Sequence, residues 1–222
     1  MQANIQVKRI RNVGIYASIS YGLSSNIYII KSSDENAIVD VGYGPPHSNI
    51  METLNEFGME IEDIDKILIT HRHKDHTREL RRIIESNERA KIYIHKEDKE
   101  IVMENLKIGR DRIHTLYGDE EIGIGDIKMK VIHTPGHTSG SVCYKYEETI
   151  FTGDLVFANG DYGRTDLPTG NPRELMKSLE MVATLNIETM LPGHGEVILK
   201  QAKDHIKLAV KNAIANLRKQ YK

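Results

Sequence analysis

An α/β fold in which two β-sheets pack face to face with helices on both outer sides, an αββα four-layer sandwich, is the class this sequence predicts. Three observations carry that expectation. Short β-rich runs alternate with amphipathic helical stretches in the first half of the chain, the alternation returns in the second half, and the apolar residues of each helical stretch share one face. There is no repeat, low-complexity tract or Gly/Pro/Ser-rich linker, so residues 1–222 are expected to form a single domain.

The first strands are expected at residues 25–30, 37–41, 66–69 and 91–94, apolar runs bounded by turn-forming residues. Helical spacing lies near residues 47–57 and 77–87; in the latter Leu80, Ile83 and Ile84 face inward while Arg and Glu face water. A second strand group is expected at roughly 121–132, 141–146 and 149–151. The helix after it carries its own start signal: Asn171 suits the cap, Pro172 the first position, and Glu174 is placed to reach back to the cap. Leu175, Leu179 and Val182 form its buried stripe, and it is expected to end near Leu185. From about 200 to 221, Ile206, Val210, Ile214, Leu217 and Tyr221 align on one helical face that would close one side of a sheet.

Composition narrows the function classes. Thirty Lys and Arg against 32 Asp and Glu leave a formal charge of −2, which gives no general pull toward phosphate backbones, so nucleic acid is not the expected partner. Arg78, Arg81 and Arg82 are interleaved with Glu79 and Glu85 and read as a solvated helix face. No window approaches a membrane-crossing length, and the N-terminus lacks a signal-peptide pattern. The single cysteine, Cys143, forms no internal disulfide and is expected to be packed rather than reactive. A cytoplasmic protein acting on a small molecule fits these features, and no sequence feature specifies an oligomeric state.

Chemistry concentrates in His71-Arg72-His73-Lys74-Asp75-His76, directly after the apolar run of residues 67–70. Three imidazoles and a carboxylate in six residues offer the nitrogen and oxygen donors that borderline divalent metals prefer. Comparable residues recur at the ends of later apolar stretches: His137 in Thr-Pro-Gly-His-Thr, Asp154 in Phe-Thr-Gly-Asp, and His194 in Leu-Pro-Gly-His-Gly. Glycine beside each of these three permits tight turns that let strand ends converge. His47, His95, His114 and His205 lie outside the motifs and are expected on the surface, while His133, four residues before His137, is near enough to support the cluster from outside.

Together these motifs resemble the metallo-β-lactamase superfamily over residues 26–195. The resemblance implies that His71, His73 and His137 bind one metal, that Asp75, His76 and His194 bind a second, and that Asp154 bridges them. Asp40, in Val-Asp-Val-Gly, resembles the family's early aspartate that supports the metal ligands from outside, and reads equally as an ordinary turn residue at a strand end. It also implies two divalent ions, zinc first, with iron or manganese sharing the same donor chemistry. Members that hydrolyse β-lactams carry cysteine where Asp154 stands, and the diiron flavoproteins carry an acidic residue where His73 stands, so a hydrolase of another kind is expected.

Tyr162-Gly163-Arg164-Thr165-Asp166-Leu167-Pro168 resembles a segment of glyoxalase II-like thioesterases, which makes Tyr162, Arg164 and Asp166 candidates for the substrate loop; Arg164 and Asp166 also read as a loop-fixing ion pair. The chain is similar to the short members of that group, which lack the helical domain that helps hold glutathione. Thr77-Arg78-Glu79 replaces the small, glycine-containing continuation of many members. The implied reaction is attack of a metal-bridging hydroxide on a thioester carbonyl, with Asp75 and Asp154 anchoring the metals and orienting the water. The alternatives are a mononuclear iron persulfide dioxygenase using His71, His137 and Asp154, and a lactonase or nucleic-acid-processing hydrolase of the same fold.

Overall fold

The computed structural model of the chain describes residues 3–10, 13–20 and 22–220. One sheet has seven strands in chain order, β1 (Ala3–Ile10), β2 (Val13–Ile19), β3 (Ile27–Lys31), β4 (Asn36–Val39), β5 (Lys66–Leu68), β6 (Lys91–His95) and β7 (Ile113–Leu116). The first four are antiparallel and the pairings from β4 to β7 are parallel. The second sheet has five strands, and its β8 (Glu121–Ile124), β9 (Ile127–His133), β10 (Val142–Tyr146), β11 (Thr149–Gly153) and β12 (Thr189–Pro192) lie in the order β12-β11-β10-β9-β8. Parallel pairing demands crossovers, and helices supply them: α1 (Ile50–Glu56), α2 (Lys74–Thr77) with α3 (Leu80–Ser86), and α4 (Lys96–Leu106) on one sheet, α5 (Pro172–Ala183) on the other. The chain closes with α6 (Ala202–Gln220).

Three apolar clusters separate four layers, as the sequence predicts. Alternate residues of β3 show how: Tyr28 and Ile30 point into the core between the sheets, with Val39, Met129, Tyr144 and Phe151, while Ile27 and Ile29 point to α1, α3 and α4. On the far side, Cys143, Ile150 and Met190 meet Leu175, Leu179, Val182 and Ile206 of α5 and α6.

Several expectations are corrected. The β1–β2 hairpin and β7 add to the expected strands; β1 and β7 are the edge strands of their sheet, and edges carry polar residues that hide the strand signal. The residue 121–132 stretch is a hairpin of β8 and β9, turning at Gly125, and the helix expected near residues 77–87 is α3, preceded by the separate single turn α2. Asn171 does cap α5, accepting from the Arg173 and Glu174 amides, but the Glu174 carboxylate accepts from Lys177 Nζ at 2.9 Å instead of reaching back. The helix stops at Ala183. On α6 the buried stripe is Ala202, Ile206, Ala209 and Ala213, with Val210 and Ile214 only partly buried, because alanines permit closer approach to α5. The Leu217 side chain and Tyr221 lie outside the described residues. His95 is buried rather than superficial, stacked on His133 at 4.1 Å between ring centres. Among the described residues no helix is long and apolar enough to cross a membrane.

Phe151 is fully buried between the sheets, edge-on to Tyr28 with ring centres 5.4 Å apart. Its truncation leaves a cavity that a two-sheet core fills poorly, so Phe151→Ala should lower unfolding free energy by about 3–5 kcal/mol. Urea titration with an unchanged slope checks this, and a loss below about 1 kcal/mol would contradict the placement.

Candidate functional site

Ligand sites in sheet proteins form where strands run out and loops begin, and here five strands end at one place. Asp40 follows β4, the segment of residues 70–76 follows β5, His137 lies in the turn after β9, Asp154 follows β11, and His194 follows β12. Side chains cross-link these exits. Asn26, buried at the start of β3, donates through Nδ2 to the Pro192 and Gly195 carbonyls at 3.0 Å each, and Tyr28 donates to Pro192 O at 2.5 Å. Thr70 O accepts from Val142 N at 2.9 Å, tying the first sheet to the second. Asp98, fully buried on α4, accepts from Arg72 N at 2.9 Å, Thr138 Oγ1 at 2.7 Å and Gly140 N at 3.2 Å. It therefore fastens the loop of His71 and His73 to the loop of His137, and burial pushes its carboxyl above the usual range.

All seven histidine and aspartate residues singled out as metal ligands come together, in two groups: His71, His73 and His137, and Asp75, His76, Asp154 and His194. Within each group the donor atoms lie within 4.8 Å of one another. In the first, His73 Nδ1 is 3.0 Å from His71 Nε2 and 2.9 Å from His137 Nε2. Nitrogens about 2.0–2.1 Å from a tetrahedral zinc would stand roughly 3.3 Å apart, so the spacing suits a shared cation. In the second, His76 Nε2 is 3.3 Å from His194 Nε2, and His194 Nε2 is 3.0 Å from Asp75 Oδ2. Asp154 faces both groups: Oδ1 lies 3.3 Å from His76 Nε2, and Oδ2 lies 3.4 Å from His137 Nε2 and 3.6 Å from His194 Nε2.

The donor set fits a metal on two further grounds. Asp154 Oδ1 is buried with no geometrically sound hydrogen bond among the described residues, although His76 Nε2 lies 3.3 Å away; a buried carboxylate oxygen left so suits a cation. The first group is also held ready as neutral donors. Burial, aided by His76 and His137, pushes His71 well below its ordinary value, and burial with His137 brings His73 to about 4. In the second group burial opposes charge on His76, yet Asp154 and Asp40 outweigh it and raise His76 well above its usual range. Burial would raise Asp154 too, but His76 and then the neighbouring histidines hold it far below the usual carboxylate range. The two carboxylates that favour a proton on His76 favour any cation placed there.

Backbone geometry leaves little freedom around these groups. A Cβ at Gly193 would come 2.2 Å from Asp154 Oδ1, and one at Gly136, whose φ is +138°, would come 2.2 Å from Leu175 N. Outside the ligands, His76 Nδ1 pairs with Asp40 Oδ2 at 2.7 Å, and Asp40 in turn accepts from Thr70 N at 2.9 Å and Thr70 Oγ1 at 2.7 Å. His137 Nδ1 donates to Arg164 O at 2.8 Å. Each contact fixes a ring tautomer, leaving the other nitrogen to face the cluster. Thr70, Asp98 and Asn26 escape a reading of the sequence, as their roles depend on partners far along the chain.

A cleft of about 560 Å3 opens over the cluster, lined by Leu23, Tyr43, Lys74, Arg164 and Leu167 beside the ligands themselves. Arg164 and Asp166 form the expected ion pair, at 2.7 and 2.6 Å, largely in solvent; it draws Asp166 down to about 2. Tyr162 is directed elsewhere, its hydroxyl accepting from Asn216 of α6 at 2.6 Å. His133 donates to Ser139 O at 2.9 Å and rests on His95 rather than touching the cluster. Cys143 is buried, and burial pushes its thiol up to about 12.

Residues 20–194 match the family model of the metallo-beta-lactamase superfamily. The probable metallo-hydrolase MJ0888 of Methanocaldococcus jannaschii is 36% identical over 208 residues, covering 86% of this chain and 97% of its own. The probable metallo-hydrolase YqgX of Bacillus subtilis is 32% identical over 188 residues, covering 78% of this chain and 86% of its own. Among solved structures, TTHA1623 in a di-iron-bound form superposes with a TM-score of 0.65 at 26% identity, covering 82% of this chain and 93% of the other.

These contacts set two expected outcomes. Asn tolerates the left-handed backbone of Asp40 (φ 54°), so Asp40→Asn should fold normally yet weaken metal affinity about 10–100-fold, read by chelator competition, through loss of the carboxylate at His76. Iodoacetamide at pH 8 should leave Cys143 unmodified in the folded protein and alkylate it in guanidinium, as mass spectrometry would report; rapid native labelling would contradict its burial.

Proposed function

Because the chain belongs to the metallo-β-lactamase superfamily, we propose that it is a metal-dependent hydrolase with a two-metal centre and a thioester substrate. The observation that carries this reading is the pair of donor groups with the Asp154 carboxylate facing both. His71, His73 and His137 would hold one ion, Asp75, His76 and His194 the other, with Asp154 between them. When bound, the cations supply the Lewis acidity that lowers the pKa of water toward neutrality and polarises a carbonyl. Asp40 and the Arg164 carbonyl orient His76 and His137, while Asp75 and Asp154 provide negative charge and acceptors for an attacking water.

Support for hydrolysis comes from relatives described as probable metallo-hydrolases, and the cleft volume of about 560 Å3 suits a small molecule. The single thiol is buried with its pKa near 12, so it does not compete as a nucleophile. Support for a thioester is the likeness of residues 162–168 to thioesterase segments, with Arg164 and Leu167 of that segment lining the cleft. Zinc suits the nitrogen-rich donor set, the di-iron-bound neighbour keeps iron beside it, and manganese shares the same ligands. A cytoplasmic location belongs to the same reading.

Metal analysis of the purified protein, run with parallel assays of S-lactoylglutathione hydrolysis and of oxygen uptake with glutathione persulfide, tests it. Thioester hydrolysis is expected, and Asp75→Ala and Asp154→Ala should each lose metal and lower kcat/KM by about 100-fold or more. Full turnover in either variant would refute the metal scheme; oxygen uptake without hydrolysis would move the assignment to the dioxygenase.

A further inference from the structure

A second cavity, of about 350 Å3, opens beside the first and is lined by Tyr43, Lys74, Thr77, Arg78, Asn105 and Leu106. Tyr43 and Lys74 also line the cleft over the metal-ligand cluster, so the two spaces share a wall. In a protein whose formal charge is −2, this cavity has two cations in its lining and no carboxylate. The Lys74 ammonium has no hydrogen-bond or ion-pair partner among the described residues. Arg78, expected from the sequence to belong to a solvated helix face interleaved with glutamates, instead lies 4.4 Å over the Tyr43 ring, while Glu79 and Glu85 are taken by Arg82 and Arg81. Its guanidinium is thus oriented by the ring and keeps its hydrogen-bond donors for another group. Asn105 adds an amide. The C-terminal end of α4 nearby contributes about half a negative charge at most, against two whole positive ones.

We infer that the Lys74–Arg78–Asn105 cavity is an anion subsite that takes a carboxylate or phosphate carried on the arm of the substrate away from the bond being cut. A ligand with its reacting group over the metal-ligand cluster extends past Tyr43 and Lys74, and its charged end meets Arg78 and the Asn105 amide. The inference rests on the hydrolase reading for what happens at the reacting end, while the subsite itself stands on the cavity and its unbalanced cations. Lys74 and Arg78 set specificity by ionic contact with the substrate, and the apolar Leu23 and Leu167, which line the cleft over the cluster but not the second cavity, suit an uncharged acyl group.

Matched thioesters that differ only in charge test this with the metal-loaded enzyme: S-acetyl-N-acetylcysteine against its methyl ester, and S-acetyl phosphopantetheine against S-acetyl pantetheine. We expect the charged member of at least one pair to be preferred about tenfold or more in kcat/KM, mainly through KM, and the responding pair identifies carboxylate or phosphate. In the double variant Lys74→Ala/Arg78→Gln the ratio should fall to about one, and Arg78→Lys should restore part of it. The corresponding S-ethyl thioethers, titrated by calorimetry, give the same comparison without turnover. If no thioester is hydrolysed but the charged thioether binds more tightly and the double variant loses that difference, the thioester reading fails and the subsite holds. Equal binding and equal kcat/KM within both pairs, or a preference that survives the double substitution, would overturn the subsite.

Discussion

Five imidazoles packed within a few ångströms oppose one another, and the rest of the structure depends on strand ends being forced together in spite of that. Protonated, the rings would repel; neutral, their inward nitrogens have too few protons to satisfy one another at 2.9–3.3 Å. Free energy gained elsewhere must hold them there, and it comes from buried hydrogen bonds between the sheets. Tyr144 donates to Ile69 O at 2.8 Å and Asn26 N to Gly193 O at 2.7 Å, joining the Asn26 side-chain, Tyr28 and Asp98 contacts in places where an unmade bond costs most. A cation shared by the facing donors turns the same crowding into attraction.

The residues that form the His/Asp cluster were legible in the sequence because their chemistry is rare: packing alone seldom sets histidine and aspartate at the ends of several apolar runs, three of them beside a glycine. The layers were legible for a similar reason, since β3 and β5 are apolar on both faces and α5 announces its start with Asn171 and Pro172. What stayed hidden is carried by ordinary residue types. Asp98 sits in a helix rich in Lys and Glu, and nothing within that helix says that its carboxylate bonds to Thr138, 40 residues later. The buried face of α6 departs from the periodic one because periodicity counts large apolar residues, whereas close helix packing selects alanine.

Arg72 shows how the His71–His76 motif and the loop of residues 162–169 are mechanically one unit. Its backbone amide is held by Asp98, and its guanidinium donates to Pro168 O at 2.6 Å and Thr169 Oγ1 at 2.8 Å. The loop that presents Arg164 and Leu167 to the cleft is thereby clamped by a residue lying between two histidine ligands. His137 adds the second tie, through the Arg164 carbonyl. A fold that varies its loops to change substrate keeps this loop in register with the reacting centre by such contacts, so a substitution at its base disturbs both.

Charge arithmetic explains why recognition and chemistry sit side by side. Two divalent cations would bring +4 to a centre where Asp40, Asp75 and Asp154 bring −3, so a site loaded in that way would be positive by one even before Lys74 and Arg78 are counted. The chain as a whole carries −2, so this positive field is local and decays over a Debye length of about 8 Å at physiological salt. Such a field does little to gather anions from afar, but it acts strongly on a ligand already in the cleft, where low-dielectric walls strengthen each contact. On the proposed subsite, the positive end of the cleft would discriminate among bound molecules more than it speeds their arrival, and that selectivity would be drawn in part from the same six residues, His71 to His76, that bring four donors to the cluster.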